Sequence, residues 1–112
     1  MIILHCYRSH RMPEAFETVV VPRELETLIP AFLANRGKEL DALRAALAAA
    51  NFTQLREIGH RMKGVGASYG FTRISSIGAQ IESAARSLDR VALAGQIEAY
   101  AGHLRSVRVV YG

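Results

Sequence analysis

Apolar residues recur every three or four positions along most of the chain after residue 21, the period of amphipathic α-helices. The stretch 52–69 shows this period most clearly, because its apolar residues fall on one face when it is wound at about 100° per residue. Similar stripes predict a helix from near Pro30 to about Ala50, another after Gly70 and a last one after Asp89. The stripe residues, in chain order, are Leu33, Leu40, Leu43, Leu47 and Ala50; Phe52, Leu55, Ile58, Met62, Val65 and Tyr69; Ile74, Ile77, Gly78, Ile81, Ala85 and Leu88; and Leu93, Ile97, Tyr100, Leu104 and Val107.

Short connections join these four helices, which favours packing in up-down-up-down order. A shorter helix is predicted before them. It begins at Pro22, buries Leu25, Leu28 and Ile29, and ends where Pro30 pushes Ile29 out of helical geometry. The predicted fold class is therefore all-α, an antiparallel up-down-up-down four-helix bundle with a short extra N-terminal helix.

Polar residues and glycine mark the predicted helix ends. Asn51 is a suitable N-cap, and Gln54, three residues later, can complete a capping box. Gly70 is placed to end that helix, since glycine is common just beyond a helix C-terminus. Thr72 and Asp89 are predicted to cap the next two helices.

The N-terminal residues do not share the helical period. Residues 1–21 are assigned to an extension of uncertain structure, within which the β-branched run Thr18–Val21 allows an extended conformation. Residues 22–112 are assigned to the bundle domain.

The composition narrows the function classes. A chain of 112 residues with half its residues apolar is long enough for one core, and its single cysteine, Cys6, excludes an internal disulfide. No apolar run reaches the length of a membrane span or a signal peptide core, so a soluble cytoplasmic protein without membrane partners is expected. The net charge of +4 comes from twelve arginines and two lysines that are scattered among acidic residues, which favours an acidic protein partner over nucleic acid.

His60 is the candidate reactive residue. On the wound helix it points roughly 160° away from the apolar stripe, with Gly64 and Ala67 beside it and Lys63 between it and the stripe. A neutral imidazole is a nucleophile that can form a covalent intermediate with a phosphoryl group, and a lysine one turn away can pair with phosphoryl oxygens. The bare backbone at Gly64 would let a partner's active site come close.

These residues resemble a known family. The pattern His60-x-x-Lys63-Gly64, followed by Ser68, Gly70 and Phe71, is similar to the signature of histidine-containing phosphotransfer (HPt) domains. The resemblance implies that His60 carries a phosphoryl group between a histidine kinase and the aspartate of a response-regulator receiver. It also implies that the partner supplies Mg²⁺ and most of the catalytic machinery, so the chain is a phosphocarrier and needs no cofactor.

The helix after Gly70 is predicted to supply the second half of the site. Ser75, Ala79, Glu82 and Arg86 line one flank of its apolar stripe, where they can face His60 and Lys63. A carboxylate bonded to one ring nitrogen would set the tautomer and leave the other nitrogen as the nucleophile. The resemblance supports Glu82, 22 residues after His60, because HPt domains often hold a glutamine or glutamate there; a glutamate is similar to chemotaxis-kinase phosphotransfer domains. Arg86 occurs in some relay HPt domains. The alternative for Glu82 is a surface ion pair with Arg86.

Other kinds of site are not indicated. The histidines lack metal-ligand spacing, and His5, His10 and His103 are interpreted as surface residues. No glycine-rich loop follows a strand, which argues against nucleotide binding. Two other functions stay open: a helical interaction module that is not phosphorylated, and a small basic nucleic-acid-binding protein.

Overall fold

The computed structural model describes residues 16–112. This part of the chain is mostly helical, with four α-helices, one 3-10 helix and two short strands. The elements, in chain order, are β1 (Glu17–Val21), a 3-10 helix (Arg23–Leu28), α1 (Ile29–Ala48), α2 (Phe52–Tyr69), α3 (Thr72–Arg86), α4 (Arg90–Ser106) and β2 (Val107–Tyr111).

A two-stranded parallel sheet joins the two ends of this region. β1 pairs with β2 in a register that runs from Glu17 opposite Val107 to Val21 opposite Tyr111. The all-α prediction is wrong on this point, and Val107, placed in the last helix by its spacing, begins a strand instead. The β-branched residues of both strands favour extended backbone, and Val21 is fully buried against the helices. Residues 17–21 of the predicted extension thus pack on the helices, while residues 1–15 lie outside the described residues.

The 3-10 helix stands where a separate short α-helix was predicted, so that helix is not confirmed. It continues directly into α1, whose first residue Ile29 has helical dihedral angles (φ −67°, ψ −41°). The prediction that Pro30 displaces Ile29 from helical geometry is therefore wrong. Pro30 is the second residue of α1, where its missing N–H would have no intrahelical acceptor in any case.

Two of the predicted N-caps are present. The Asn51 side-chain oxygen accepts from the Gln54 backbone N–H at 3.1 Å, and the Asn51 amide donates to Gln54 Oε1 at 3.3 Å. Asp89 accepts from the Ala92 N–H at 3.0 Å. These caps satisfy backbone donors that the first turns of α2 and α4 leave without intrahelical partners.

The turn between α2 and α3 differs in one respect from its prediction. Gly70 ends α2 in the left-handed conformation, with φ 85°, as predicted. Thr72, however, is the first residue of α3 and not its cap. The N-cap of α3 is Phe71, which makes no side-chain capping bond. Phe71 is held there by its full burial and by a bond from its N–H to the Gly66 carbonyl.

The core follows the predicted stripes with several exceptions. Ala50 and Leu88 are exposed because both lie beyond a helix end with positive φ. Phe32 and Ala46 of α1 are buried although the predicted stripe omitted them, as are Ala84 of α3 and Ala101 of α4. Of the residues that the predicted short helix was expected to bury, Ile29 is buried but Leu28 is 48% exposed. Val107 lies in β2. His103 is 1% exposed, so its interpretation as a surface residue is wrong: its Nδ1 lies 2.6 Å from Glu17 Oε1 on β1, a contact 86 residues away in sequence.

Candidate functional site

Glycines bring α2 and α3 into backbone contact. A Cβ built at Gly59 would lie 2.7 Å from the Gly78 carbonyl oxygen and 2.7 Å from the Glu82 nitrogen. A Cβ built at Gly66 would lie 2.6 Å from the Ser75 nitrogen. Real side chains do not fit at such distances, so the helices approach this closely only because these positions lack a Cβ. These two glycines of α2 therefore serve packing, and Gly59 places the residue that follows it beside α3.

His60 is that residue, and it contacts Glu82. Its Nδ1 lies 3.0 Å from Glu82 Oε2, across a sequence separation of 22 residues. The two side chains differ in burial, since 69% of the His60 side chain is exposed but only 6% of the Glu82 side chain. An ionised carboxylate only accepts hydrogen bonds, so Nδ1 carries the donated hydrogen and the unprotonated nitrogen of the neutral ring is Nε2.

Two cationic side chains share the same carboxylate. Lys63 Nζ lies 3.0 Å from Glu82 Oε1, and Arg86 Nη2 lies 3.2 Å from Glu82 Oε2. The hydrogen bond from Lys63 lowers the pKa of Glu82, the bond from His60 and the charges of Lys63 and Arg86 add to this, and desolvation opposes it. Glu82 is therefore ionised at neutral pH. Its contact with Arg86, which was the alternative interpretation, exists together with the contact to His60.

Ser75 links the two helices next to this cluster. Its Oγ donates to the Lys63 carbonyl oxygen at 2.7 Å, from the flank of α3 that also carries Glu82. The bond holds α3 to the turn of α2 that bears Lys63. It therefore supports the position of the lysine through the backbone.

The three predicted docking residues of α2 lie on its exposed side. A Cβ added at Gly64 would meet no atom within 4 Å, so the backbone there is open. Ala67 is exposed. Ser68 is exposed as well, but its hydroxyl donates to the Gly64 carbonyl oxygen at 3.1 Å, so it is directed along its own helix.

The structure adds residues that the sequence reasoning did not select. A shallow cavity of about 400 Å³ beside the imidazole is lined by His60, Glu82, Arg86, Arg56, Glu57 and Arg61. Arg56 precedes His60 by four residues, a spacing that puts both on one helix face and could have identified it. With Lys63 at 3.0 Å from Glu82, the site carries more positive than negative side chains, which suits an anionic group.

Residues 16–112 contain neither a candidate metal site nor a candidate membrane span. No group of three or more histidine, cysteine, aspartate or glutamate side chains there could hold a metal ion. None of the helices in that region combines the length and apolar character that crossing a membrane requires.

Comparison with known families decides the classification. The family model described as Hpt domain matches residues 27–108 of the chain. The chain belongs to the Hpt family. This Hpt domain therefore has a histidine phosphotransfer role in two-component signalling, as a phosphocarrier that works with kinases and receiver domains in phosphorelays. Searches of curated proteins and of solved structures each found no match.

Proposed function

We propose that His60 is the phosphoacceptor of this Hpt domain. In the proposed reaction, the Nε2 lone pair attacks the phosphorus of a partner's phosphoaspartate. The Nε2–P bond forms while the acyl P–O bond breaks, and the aspartate carboxylate leaves with the bonding electrons. The Nδ1 proton stays on the ring, bonded to Glu82. Transfer onward to a response-regulator aspartate is the reverse reaction with a second partner.

The observation that carries this proposal is the bond between His60 Nδ1 and Glu82 Oε2, made by a ring that is otherwise largely exposed. With Nδ1 engaged, the nucleophilic lone pair is at Nε2. The carboxylate also stabilises the positive charge that grows on the imidazole during attack. Because Glu82 is buried on a helix that is in backbone contact with α2, it holds the ring orientation before a partner arrives.

Lys63 and Arg86 are assigned the role of charge partners. Both now bind Glu82, at 3.0 Å and 3.2 Å, which keeps their cationic groups next to the ring. A phosphoryl group on Nε2 brings roughly two negative charges into the same space, and either cation can then pair with its oxygens. The open backbone at Gly64 and the exposed Ala67 and Ser68 form the adjacent surface that a partner would contact.

The proposed partners are a histidine kinase, or the receiver domain of a hybrid kinase, and a response-regulator receiver. Mg²⁺ is expected in the acidic pocket of the receiver and not on this chain. The two-residue connection between α2 and α3 supports the antiparallel up-down-up-down order of the helices, which leaves His60 on an outer face. Such partners act in the cytoplasm, the compartment that we propose for this domain.

Incubation with a radiolabelled phosphorylated receiver tests the acceptor. We expect acid-labile, alkali-stable phosphate on the wild-type chain and none on His60→Gln, with helical content unchanged because the ring is exposed. A double variant, His5→Gln with His10→Gln, is the matched control and should label normally. Label on His60→Gln would place the acceptor elsewhere, and an unlabelled wild type would favour an interaction module.

A further inference from the structure

A second concave surface continues from the His60 cavity to one end of the helices. The two concavities share Arg56 and Arg86, so the surface is continuous. Phe52, at the far end, precedes His60 by eight residues, which is about 12 Å along α2. This second groove has a volume of about 250 Å³ and is lined by Phe52, Thr53, Arg56, Ala85, Arg86 and Leu88.

Leu88 is an unusual residue for its backbone position. The Leu88 N–H donates to the Ala85 carbonyl at 3.1 Å and the Asp89 N–H to the Ala84 carbonyl at 2.9 Å. These two bonds form the Schellman motif that ends α3, in which the residue at the place of Leu88 is left-handed and is usually glycine. Leu88 adopts that conformation, with φ 57°, and its side chain is 63% exposed. Neither helix termination nor core packing accounts for a leucine here, since glycine would be less strained and the side chain is outside the core.

We propose that this groove docks a partner protein whose surface presents an acidic patch next to an exposed apolar side chain. The inference rests on the proposed function, because the same partner carries the phosphorylated aspartate. Charge complementarity defines the occupant: the guanidinium groups of Arg56 and Arg86 take the carboxylates of the partner, and Phe52 and Leu88 take its apolar side chain.

Leu88 contributes to binding and not to the phosphoryl transfer step. Leu88 lies beyond the end of α3, whereas Glu82, which binds the His60 ring, lies within that helix. Removal of the leucine should therefore weaken the complex and leave the reactivity of the imidazole unchanged. The loss of most of a leucine contact corresponds to an increase of about tenfold in the dissociation constant.

Leu88→Gly is the informative variant because it removes the side chain and relieves the left-handed strain. Its unfolding midpoint should equal or exceed that of the wild type, so weaker binding would not reflect unfolding. Ala50→Gly is the matched control, since Ala50 has φ 53° at the end of α1 and does not line the groove. Val91→Ala is the second control, because Val91 is 84% exposed but does not line the groove either.

The experiment titrates isolated receiver domains from the same genome into each full-length variant and follows binding by calorimetry. We expect the dissociation constant to rise about tenfold for Leu88→Gly, to rise for Arg56→Gln, and to stay unchanged for both controls. Equal dissociation constants for Leu88→Gly and the wild type, or no binding of any receiver by the wild type, would overturn the inference. So would a wild-type dimer that Leu88→Gly dissociates in sedimentation, since the groove would then hold a second copy.

Labelling by phosphoramidate separates this inference from the proposed function. In that reaction Nε2 attacks phosphorus, the N–P bond of the donor breaks and ammonia leaves, so no protein has to dock. Leu88→Gly should label at the wild-type rate. Failure of the wild type to label would count against His60 as the acceptor. The calorimetric titration would then decide separately whether the groove binds a receiver.

Discussion

Glu82 holds His60 by a 3.0 Å hydrogen bond that joins a buried carboxylate to an exposed imidazole. The same carboxylate binds Lys63 and Arg86, so one acidic group organises three cationic or polar donors. The burial of Glu82 matters because the packing around it keeps the carboxylate beside the ring while the ring reacts. A surface pair of the same length would be weaker and more mobile.

The tautomer of His60 tests this relationship directly. In the wild type, ¹⁵N shifts of the neutral ring should show hydrogen on Nδ1 and none on Nε2. Glu82→Ala should mix the two tautomers and slow phosphoryl transfer by about tenfold, since one hydrogen bond to a charged group is lost. Glu82→Gln should be milder, because its amide oxygen still accepts from Nδ1. Glu57→Gln removes another carboxylate that lines the cavity and is the control; identical ring spectra in all four proteins would contradict the role of Glu82.

The stability of the site should depend on pH in a defined direction. The pKa of Glu82 lies below its usual value of 4.5, with the hydrogen bond from Lys63 as the main cause. A carboxyl group with a lower pKa in the folded than in the unfolded state stabilises the fold above the unfolded pKa, and this contribution is lost as the pH falls through the folded pKa. The difference in unfolding free energy between wild type and Glu82→Gln should therefore shrink as the pH falls below 4.5.

A carboxyl ¹³C titration measures the pKa of Glu82 and tests whether Lys63 lowers it. Lys63→Met should raise the pKa of Glu82, because it removes the largest of the interactions that lower it. Lys38→Met is the control, because it removes a lysine that lies on another helix, α1. An unchanged Glu82 titration in Lys63→Met would show that the lysine does not bind the carboxylate in solution.

Replacement of two glycines by alanine should change the stability of the protein in opposite directions. Gly64→Ala should stabilise the protein by up to about 1 kcal/mol, because the position is an open helix interior. Gly78→Ala should destabilise it by about 1–3 kcal/mol or more, since its Cβ would lie 2.6 Å from Met62 Cβ and 2.7 Å from the Gly59 carbonyl oxygen. Urea unfolding measures both. A large loss in Gly64→Ala would mean that this glycine serves packing and not partner access.

The pair formed by Glu17 and His103 should matter for stability but not for phosphotransfer. Glu17→Ala would leave the buried His103 Nδ1 without its partner and remove the pair with Arg73, at an expected cost of about 1–3 kcal/mol. Glu24→Ala, an exposed acidic position on the 3-10 helix, should change stability by less than about 0.5 kcal/mol. Phosphoramidate labelling of His60 should be the same in both; slower labelling in Glu17→Ala would show that the sheet influences the site.

The sequence alone determined the helices and half of the site, because these depend on local spacing. The stripe from Leu55 to Val65 and the cap at Asn51 follow from contacts within a few residues, as does the exposure of His60. The position of Lys63 one turn from His60 depends only on helix geometry. The flank of α3 that carries Glu82 could also be derived, because the angular position of Glu82 follows from the apolar stripe of the same helix.

Only the tertiary structure decided the features that join distant parts of the chain. The parallel pairing of β1 with β2 links residues about ninety positions apart, and two β-branched runs so distant in sequence do not specify that they meet. His103 is buried and contacts Glu17 of β1, a contact that local spacing within α4 does not predict. Leu88 fits the period of α3 and yet is exposed, because the helix ends before it and the left-handed backbone turns its side chain out of the stripe.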